Sequence, residues 1–226
     1  MAQKQLQKNT VILLDVYETL LDMSDVERKV NNLMDSKRGY HYWFEIFMQY
    51  SFVDNCTNQF HDFGSIAKAT LKIAAHNFGK VISEAEATAV LDLLKQLPVH
   101  EEIQQGLSKL NDEGYRIAAL TNSPERIVCD RMERTGLISY FELVISAEEI
   151  KKYKPCIEAY QLAAKKLKVS ENEILVASSH SWDIMGAANA GMKTAFIKRN
   201  DEMLYPLAPQ PDYVCKNLPD LALQLS

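Results

Sequence analysis

The pattern of hydrophobic positions changes character twice along the chain. The run Val11–Leu14 is short, apolar and uninterrupted, as in a strand that helices cover on both faces. Between about residues 23 and 97, apolar residues instead recur at helical spacing. Ser83 and Glu86 match a helix capping box, and Pro98 closes the segment. This middle part of the chain is therefore predicted to be a helical insertion.

After Pro98, short apolar runs alternate with segments of helical periodicity. Gly114 and Gly136 stand at predicted helix ends, and Pro124 and Pro155 stand at predicted helix starts. Such alternation predicts an α/β fold with a Rossmann-like three-layer core, a parallel sheet and an inserted all-helical cap domain. The core is expected to comprise residues 1–22 and 98–226 and the cap residues 23–97, with further strands at 117–120, 143–145, 174–177, 194–197 and, at the sheet edge, 213–215.

Polar residues directly follow several of these predicted strands. Asp15, the pair Thr121-Asn122 and Ser178 each come just after an apolar run. Lys154 lies on a similar path from strand to helix. Because ligands bind beyond the carboxyl ends of strands in open parallel sheets, these side chains are expected to converge on one cleft. The insertion after the first strand is well placed to cover that cleft and exclude water.

An aspartate beside a lysine in such a cleft can act as a nucleophile. The Asp15 carboxylate would attack an electrophilic carbon or phosphorus and form a covalent intermediate that water then cleaves. A lysine ammonium at ~4 Å, for which Lys154 is the candidate, contributes roughly 4 kcal/mol at an effective dielectric constant near 20. That is enough in principle to keep the carboxylate ionised. The alternative for Asp15 is a salt bridge or a helix N-cap without chemistry.

Composition narrows the range of partners. The 226 residues include 25 Lys and Arg against 30 Asp and Glu, a formal charge of −5, and 47% are hydrophobic. Without a basic patch or a long apolar run, neither nucleic acid nor a membrane is expected, and a small-molecule partner is favoured. Residues 1–5 are polar and lack the apolar stretch of a signal peptide, so a cytoplasmic location is expected. The four cysteines and five histidines match no zinc-ligand spacing, and no metal or other cofactor is expected.

Four segments carry the chemistry-bearing residues in a fixed order. They are Asp15-Val16-Tyr17-Glu18-Thr19-Leu20, Leu120-Thr121-Asn122-Ser123, Lys154-Pro155 with Tyr160, and Ser178-Ser179-His180-Ser181-Trp182-Asp183. In order and spacing they resemble the four motifs of the haloacid dehalogenase superfamily. Within it the chain is most similar to the type II L-2-haloacid dehalogenases, whose first motif reads Asp-x-Tyr-Gly-Thr and whose last reads Ser-Ser-Asn-x-x-Asp.

Two positions distinguish this branch from the metal-dependent phosphatases of the superfamily. Tyr17 occupies the position where those phosphatases place an aspartic general acid, and Ser179 replaces the first aspartate of their magnesium site. A tyrosine is a poor proton donor at neutral pH, and a hard dication prefers carboxylate oxygens. The metal-free dehalogenase branch is therefore favoured.

The resemblance implies a two-step reaction on a short 2-haloalkanoic acid. Asp15 would displace halide from C2 with inversion, and water would cleave the resulting aspartyl ester to release a 2-hydroxy acid. By the same resemblance, Thr19 would hydrogen-bond Asp15, Lys154 would balance its charge, Ser178 would hold Lys154 or the water, and Asp183 would help to activate the water. The substrate carboxylate would meet the backbone N–H groups of Val16 and Tyr17 together with Thr121 and Asn122, while Tyr160, His180 and Trp182 would surround the substrate.

Each of these assignments has a structural alternative. Thr19 and Ser178 are also suited to satisfy loop backbone groups, and Asn122 to form a turn. Tyr160 and Trp182 are also suited to packing, and Asp183 to a charge at a helix N-terminus. Lys154 in isolation is an ordinary solvated lysine.

Three departures from the dehalogenase motifs concern charge. Glu18 replaces a glycine and must point away from an anionic substrate, and His180 replaces an asparagine. Asp35 occupies the position of the arginine that receives the halide in those enzymes. Arg38, three residues further along the same predicted helix, is the candidate replacement, with Lys37 and His41 nearby.

Two other functions remain open from the sequence. One is a magnesium-dependent phosphatase acting on a small phosphorylated metabolite, because fold does not fix reaction. The other is a catalytically weak relative that binds a small carboxylate or a protein partner. The resemblance alone also implies a homodimer.

Overall fold

A computed structural model of the chain describes residues 10–199 and 203–226. Six strands within these residues form one sheet in the order β3-β2-β1-β4-β5-β6, and every neighbouring pair is parallel. The predicted parallel α/β sheet, including its edge strand, is confirmed. The strands are β1 (Val11–Leu14), β2 (Arg116–Thr121), β3 (Leu143–Ser146), β4 (Ile174–Ser178), β5 (Lys193–Ile197) and β6 (Tyr213–Cys215).

The central strand β1 shows why an uninterrupted apolar run is needed there. All four of its side chains are fully buried. Ile12 and Leu14 belong to one hydrophobic cluster, and Val11 and Leu13 belong to the cluster on the opposite face. Each such side chain contributes about 1.5–3 kcal/mol on burial. A strand with an apolar core on each face is the middle layer of a three-layer sandwich.

Helices of the core cover both faces of the sheet. They are α5 (Ile103–Asp112), α6 (Glu125–Arg134), α7 (Ile157–Leu167), α8 (Ser181–Asn189) and α9 (Leu218–Leu225). Helix α6 begins one residue after Pro124, and α7 begins two residues after Pro155 because Cys156 still has extended backbone angles. The close approach of α5 to α9 requires Gly106, where a Cβ atom would lie 2.7 Å from Leu218.

Four helices occupy the segment between β1 and α5. They are α1 (Ser24–Met34), α2 (Gly39–Thr57), α3 (Phe63–Asn77) and α4 (Glu84–Leu94), and we refer to them as the inserted helices. The predicted capping box at the start of α4 is present: the Glu86 N–H donates to the Ser83 hydroxyl, and the Ser83 N–H donates to the Glu86 carboxylate. The helical periodicity of this segment therefore predicts its secondary structure correctly.

The segment between α1 and α2 differs from the prediction. Asp35 has a φ of 50° and ends α1, and Arg38 precedes the first residue of α2. The two residues therefore do not share a helix, although their spacing suggested one. A non-glycine residue in the left-handed region is typical of a helix end, and this stop separates the two helices.

Two expectations from the sequence concern a signal peptide and a membrane. Residues 1–5, on which the expectation about a signal peptide depends, lie outside the described residues. Of the helices in the described part, none combines the length and the apolar character that a membrane span requires.

Candidate active site

The centre of the site is an ammonium group held between two buried carboxylates. Asp15 directly follows β1, and its backbone N–H donates to the Ala177 carbonyl, 3.0 Å away in β4. Lys154 Nζ lies 2.7 Å from Asp15 Oδ1 and 2.7 Å from Asp183 Oδ2. All three side chains are buried. The structure thus brings together three residues that are 29 or more positions apart in sequence.

Thr19 fixes the second oxygen of Asp15. Its hydroxyl donates to Asp15 Oδ2 at 2.7 Å and accepts from the Ser179 N–H at 2.9 Å. The Ser179 hydroxyl lies 3.0 Å from the same Thr19 oxygen. Because Thr19 has one hydroxyl proton and gives it to Asp15, the Ser179 hydroxyl must be the donor in that contact. Each oxygen of Asp15 therefore has a donor that fixes its position.

Opposing effects set the ionisation of Asp15 and Lys154. Burial is the largest influence on Asp15 and acts to raise its pKa. The charges of Lys154 and His180 and the hydrogen bonds from Lys154 and Thr19 outweigh burial and hold the pKa of Asp15 below its ordinary value. Burial likewise acts to lower the pKa of Lys154, but the carboxylates of Asp15 and Asp183 raise it above the ordinary value. Asp15 and Lys154 are therefore both charged near neutral pH.

These shifts predict how stability changes with pH. A depressed pKa in the folded state means that Asp15 contributes its full stabilisation above the ordinary aspartate pKa, about 3.9, and loses it as pH falls through the folded value. A raised pKa means that Lys154 contributes fully below about 10.4 and loses its contribution as pH rises through its folded value. The free energy of unfolding should be measured by urea unfolding between pH 2 and 8. As the pH falls, it should decrease less in Asp15→Asn than in the wild type. An equal decrease in the free energy of unfolding of the two proteins would contradict the lowered pKa of Asp15.

Asp183 and Tyr160 form the layer behind Lys154. The Tyr160 hydroxyl donates to Asp183 Oδ1 at 2.6 Å, and burial first, then the Asp183 charge, raises the pKa of Tyr160 well above its ordinary value. A Cβ atom at Gly186 would lie 2.5 Å from the Tyr160 oxygen, so this packing of α7 against α8 needs a glycine. The family resemblance implied that Tyr160 surrounds the substrate. However, Tyr160 does not line the cavity that adjoins Asp15. It holds Asp183 instead.

Asn122 and Ser178 support the loops around the site. The Lys154 N–H donates to Asn122 Oδ1 at 2.8 Å, and Asn122 Nδ2 donates to the Lys154 carbonyl at 3.3 Å. Ser178 is fully buried and accepts from the His180 N–H at 3.1 Å, which is the loop-supporting arrangement that the sequence left open. Thr121 lines the cavity, and its hydroxyl accepts from the Ser123 N–H at 3.1 Å.

His180 and Glu18, the two departures in the motifs, lie next to each other. His180 Nδ1 is 3.6 Å from Glu18 Oε2, and Nε2 is 3.7 Å from Asp15 Oδ2 and 3.2 Å from the Tyr17 carbonyl. The other Glu18 oxygen accepts from the Tyr40 hydroxyl. Glu18 does not line the cavity that adjoins Asp15. The φ of 59° at Glu18 lies in the left-handed region, which is uncommon for a non-glycine residue.

A cavity of about 380 Å³ adjoins Asp15 and lies between the core and the inserted helices. Tyr17, Thr121, Asn122, Lys154 and His180 line it together with Asp15. Val16 does not line the cavity and is fully buried. The remaining wall is mainly apolar and aromatic, with Met23, Trp43, Phe44, Phe47, Met48, Phe63, Leu91, Leu94, Ile127 and Trp182.

Two aromatic side chains hold the imidazole in this wall. Trp182 stacks on His180 with ring centroids 5.0 Å apart, and Phe44 of α2 stacks on it at 5.6 Å. The sequence identified Trp182 as a wall residue but missed Phe44. The helical periodicity of α2 places Phe44 beside other aromatic residues and gives no signal that separates it from packing.

Arg38 does not belong to this site. Its side chain is exposed, and neither it nor Lys37 or His41 lines the cavity. The expectation that Arg38 receives a halide is therefore corrected. The reason is that the helix is interrupted: α1 ends before Asp35, and α2 begins at Gly39. The spacing of residues along the sequence does not reveal this interruption.

The donor set does not fit a magnesium ion. The position between the carboxylates of Asp15 and Asp183 is filled by the Lys154 ammonium, and Ser179 offers a hydroxyl that is already bonded to Thr19. Magnesium requires a near-octahedral set of oxygen ligands and is usually bound through one or two carboxylates. The described part of the chain contains no group of three or more His, Cys, Asp or Glu side chains arranged for a metal.

Comparison with known proteins agrees with this fold. Residues 10–191 match the sequence model of the haloacid dehalogenase-like hydrolase family. The chain is 28% identical over 219 residues to (S)-2-haloacid dehalogenase 1 of Pseudomonas sp. (strain CBS-3), covering 94% of this chain and 96% of the relative. It is 28% identical over 187 residues to (S)-2-haloacid dehalogenase 4A of Burkholderia cepacia, covering 82% of this chain and 81% of the relative.

Solved structures give the same result. A crystal structure described as a dehalogenase with intermediate complex is 26% identical in sequence, with a TM-score of 0.88 over 97% of this chain and 98% of that chain. The family match extends over most of the chain, and the overall fold is common to this chain and that dehalogenase. The chain belongs to the haloacid dehalogenase-like hydrolase family and is a hydrolase.

Proposed function

We propose that this protein is a 2-haloacid dehalogenase that converts 2-haloalkanoic acids into 2-hydroxy acids without a metal ion. The observation that carries the proposal is the Asp15 carboxylate, which borders the cavity while Lys154 and Thr19 fix its two oxygens. The names of the dehalogenases that the chain resembles over most of its length support this substrate class. Ser179 and Tyr17, which offer hydroxyl groups at the positions where the metal-dependent branch has carboxylates, support the absence of a metal from the reaction.

The first step is alkylation of Asp15. One carboxylate oxygen forms a bond to C2 as the carbon–halogen bond breaks, and the halide leaves with the electron pair. Lys154 and Thr19 hold the carboxylate in a fixed orientation, so the attack has a small entropic cost. The apolar cavity wall excludes water, which would otherwise solvate the nucleophile.

The second step is hydrolysis of the aspartyl ester. Water attacks the Asp15 carbonyl carbon, the acyl–oxygen bond breaks, and the 2-hydroxy acid leaves with one proton released per turnover. Asp15 then retains one oxygen from the water. Lys154 would stabilise the negative charge that develops on the carbonyl oxygen, because its ammonium already contacts Asp15 Oδ1.

Asp183 acts in this proposal by positioning Lys154. One of its oxygens binds the ammonium and the other accepts from Tyr160, and the side chain is fully buried outside the cavity lining. Direct activation of water by Asp183, which the family resemblance implies, would require a water molecule to reach a side chain that is fully buried and outside the cavity lining. We therefore assign to Asp183 and Tyr160 the support of the cation that both chemical steps use.

The inserted helices are proposed to form the cap, residues 23–97, over the core of residues 1–22 and 98–226. Met23, Phe63 and Leu91 reach the cavity from this segment, and Asp15 and Lys154 reach it from the core. A substrate would thus be enclosed by both parts. Such enclosure removes water from the reacting atoms.

Halide release in the presence of EDTA tests the proposed function. Chloroacetate, bromoacetate and 2-chloropropionate should each yield halide and the corresponding 2-hydroxy acid at rates that EDTA leaves unchanged. Halide release that stops with EDTA and returns with magnesium would contradict metal independence. Release of phosphate from small phosphate esters, without halide release from any haloacid, would replace the proposal with the phosphatase alternative.

The cavity volume predicts tolerance of a longer apolar substituent at C2. A volume of about 380 Å³ lies within the range of pockets that hold drug-sized ligands, roughly 300–1,000 Å³. Leu91→Trp should fill part of this space and lower kcat/KM for 2-bromooctanoate about tenfold or more, with a smaller effect on 2-chloropropionate. Leu93→Trp, on the same helix but outside the cavity lining, is the matched control. Equal losses on both substrates in Leu91→Trp would exclude this use of the cavity.

A further inference from the structure

Helix α6 carries a buried arginine that has no hydrogen-bond partner. Only 3% of Arg131 is exposed, and Nε, Nη1 and Nη2 all lack a partner among the described residues. The other buried carboxylate and ammonium groups in residues 10–199 and 203–226 are bonded: Asp15 and Asp183 to Lys154, and Asp54 to the His61 N–H. Arg131 is therefore an exception that needs a physical explanation.

The one described contact of the guanidinium with an electron-rich group is with an aromatic ring. Its Cζ atom lies 5.5 Å from the centroid of the Tyr17 ring. Attraction to the ring offsets part of the cost of burying the charge, but it leaves the N–H donors in the guanidinium plane without acceptors. A small anion in that plane would accept from several of these donors and neutralise the charge.

The position of Arg131 connects it with the cavity. Pro124 and Ile127 line the cavity at the start of α6, and Arg131 lies one helical turn beyond Ile127 on the same side of the helix. Tyr17 both lines the cavity and contacts the guanidinium. A movement of the half-buried Tyr17 ring would therefore open the guanidinium to the cavity.

The lysines that line the cavity already have anionic partners. Lys154 Nζ contacts two carboxylates, Lys68 Nζ lies 2.6 Å from Glu84, and Lys95 Nζ lies 2.8 Å from Asp92. Arg131 differs from these lysines, because its N–H groups have no acceptor among the described residues. A reaction that takes in one anion and releases another would have a use for such a group.

We propose that Arg131 and Tyr17 form a binding site for a small monovalent anion next to the cavity. The anion is either the halide that leaves C2 or the carboxylate of the haloacid, because both carry one negative charge and accept from a guanidinium. Anion binding by itself does not depend on the reaction. Its role in turnover rests on the proposed dehalogenase function.

Bromide binding to the full chain tests the site directly. Crystals grown or soaked in sodium bromide should show an anomalous bromide peak in contact with the Arg131 guanidinium. Crystals in sodium propionate should show carboxylate density at the same place if the site serves the substrate carboxylate. An empty site in both would overturn the inference, and occupancy by one anion alone would identify which of the two sources the site serves.

Variants test the same site in solution. Bromide should raise the urea midpoint of the wild type in a saturable manner, and Arg131→Met should abolish at least nine-tenths of this rise. Arg134→Met, which removes an exposed arginine from the same helix, is the matched control and should respond as the wild type does. If Arg131→Met does not fold, Arg131→Gln is measured in the same way. An undiminished response in the Arg131 variant would contradict the site.

Product inhibition separates this inference from the proposed function. If the site receives the departing halide, the inhibition constant for bromide should rise at least tenfold in Arg131→Met and stay unchanged in Arg134→Met. Dehalogenation with identical bromide inhibition in all three proteins and no bromide peak would refute the anion site while the proposed function stands. A bromide peak at Arg131 without dehalogenation of any haloacid would refute the proposed function while the anion site stands.

Discussion

Asp15→Asn is expected to lower kcat for halide release by at least about 10⁴-fold, because it replaces the attacking oxyanion with an amide of nearly the same volume. The fold should persist, since Lys154 keeps its 2.7 Å contact with Asp183. Halide release over a wide range of haloacid concentrations measures the loss. Circular dichroism and the urea midpoint measure the fold.

Asp22→Asn provides a matched control for this variant. Asp22 lies in the same loop region after β1, but it accepts from Ser24 and does not line the cavity. Its replacement should leave kcat within about twofold of the wild type, as expected for a residue outside the reacting groups. Ordinary rates in Asp15→Asn, or equal losses in the two variants, would show that another group makes the attack.

Lys154→Met is expected to have the largest combined effect on activity and stability. Methionine is apolar and of similar length, so the change leaves Asp15 and Asp183 buried without the cation that both contact. Removing one partner of a buried ion pair costs about 3–5 kcal/mol of folding free energy. Loss of the charge that orients Asp15 and stabilises the hydrolysis step should also lower kcat by at least about 10²-fold. Urea unfolding and steady-state halide release measure the two effects.

Lys165→Met is the control for the lysine substitution. Lys165 is exposed on α7 and close in sequence to Lys154, and it does not line the cavity. It should change neither kcat nor the urea midpoint appreciably. If Lys154→Met retained wild-type activity, the cation would have no part in the reaction.

The strands of the core could be predicted closely from the sequence. The run Val11–Leu14 coincides with β1, and the predicted strands at 143–145 and 213–215 agree with β3 and β6 to within one residue. Burial on both faces of a parallel sheet requires nearly continuous apolar runs, and such runs stand out from the polar segments that follow them. The convergence of Asp15, Asn122 and Lys154 follows from the same logic, because the loops at one edge of the sheet must lie together.

The parts of the site that could not be predicted depend on how helices pack. Tyr160 contacts Asp183 because Gly186 allows α7 and α8 to approach closely, and no local pattern reveals that approach. Arg38 was misplaced because a single left-handed residue, Asp35, separates two helices. Glu18 was expected to avoid the substrate, but its contact with His180 depends on a backbone angle that the sequence does not specify.

Arg131 shows that a signal can be present and still be missed. It lies three residues after Val128 and directly before Met132, on the apolar side of α6. A charged residue on a buried helix face is unusual, and it should have marked the position as a candidate for anion binding. The family motifs quoted for this chain do not include α6, so this helix position lies outside all of them.

The central claim is that Asp15 is alkylated and then regenerated in every catalytic cycle. A single turnover with excess protein in water enriched in ¹⁸O tests this claim most directly. The account predicts that the first product carries ordinary oxygen in its new hydroxyl group and that the heavy isotope is found in the peptide containing Asp15. A first product that already carries ¹⁸O, with none in residue 15, would contradict the account.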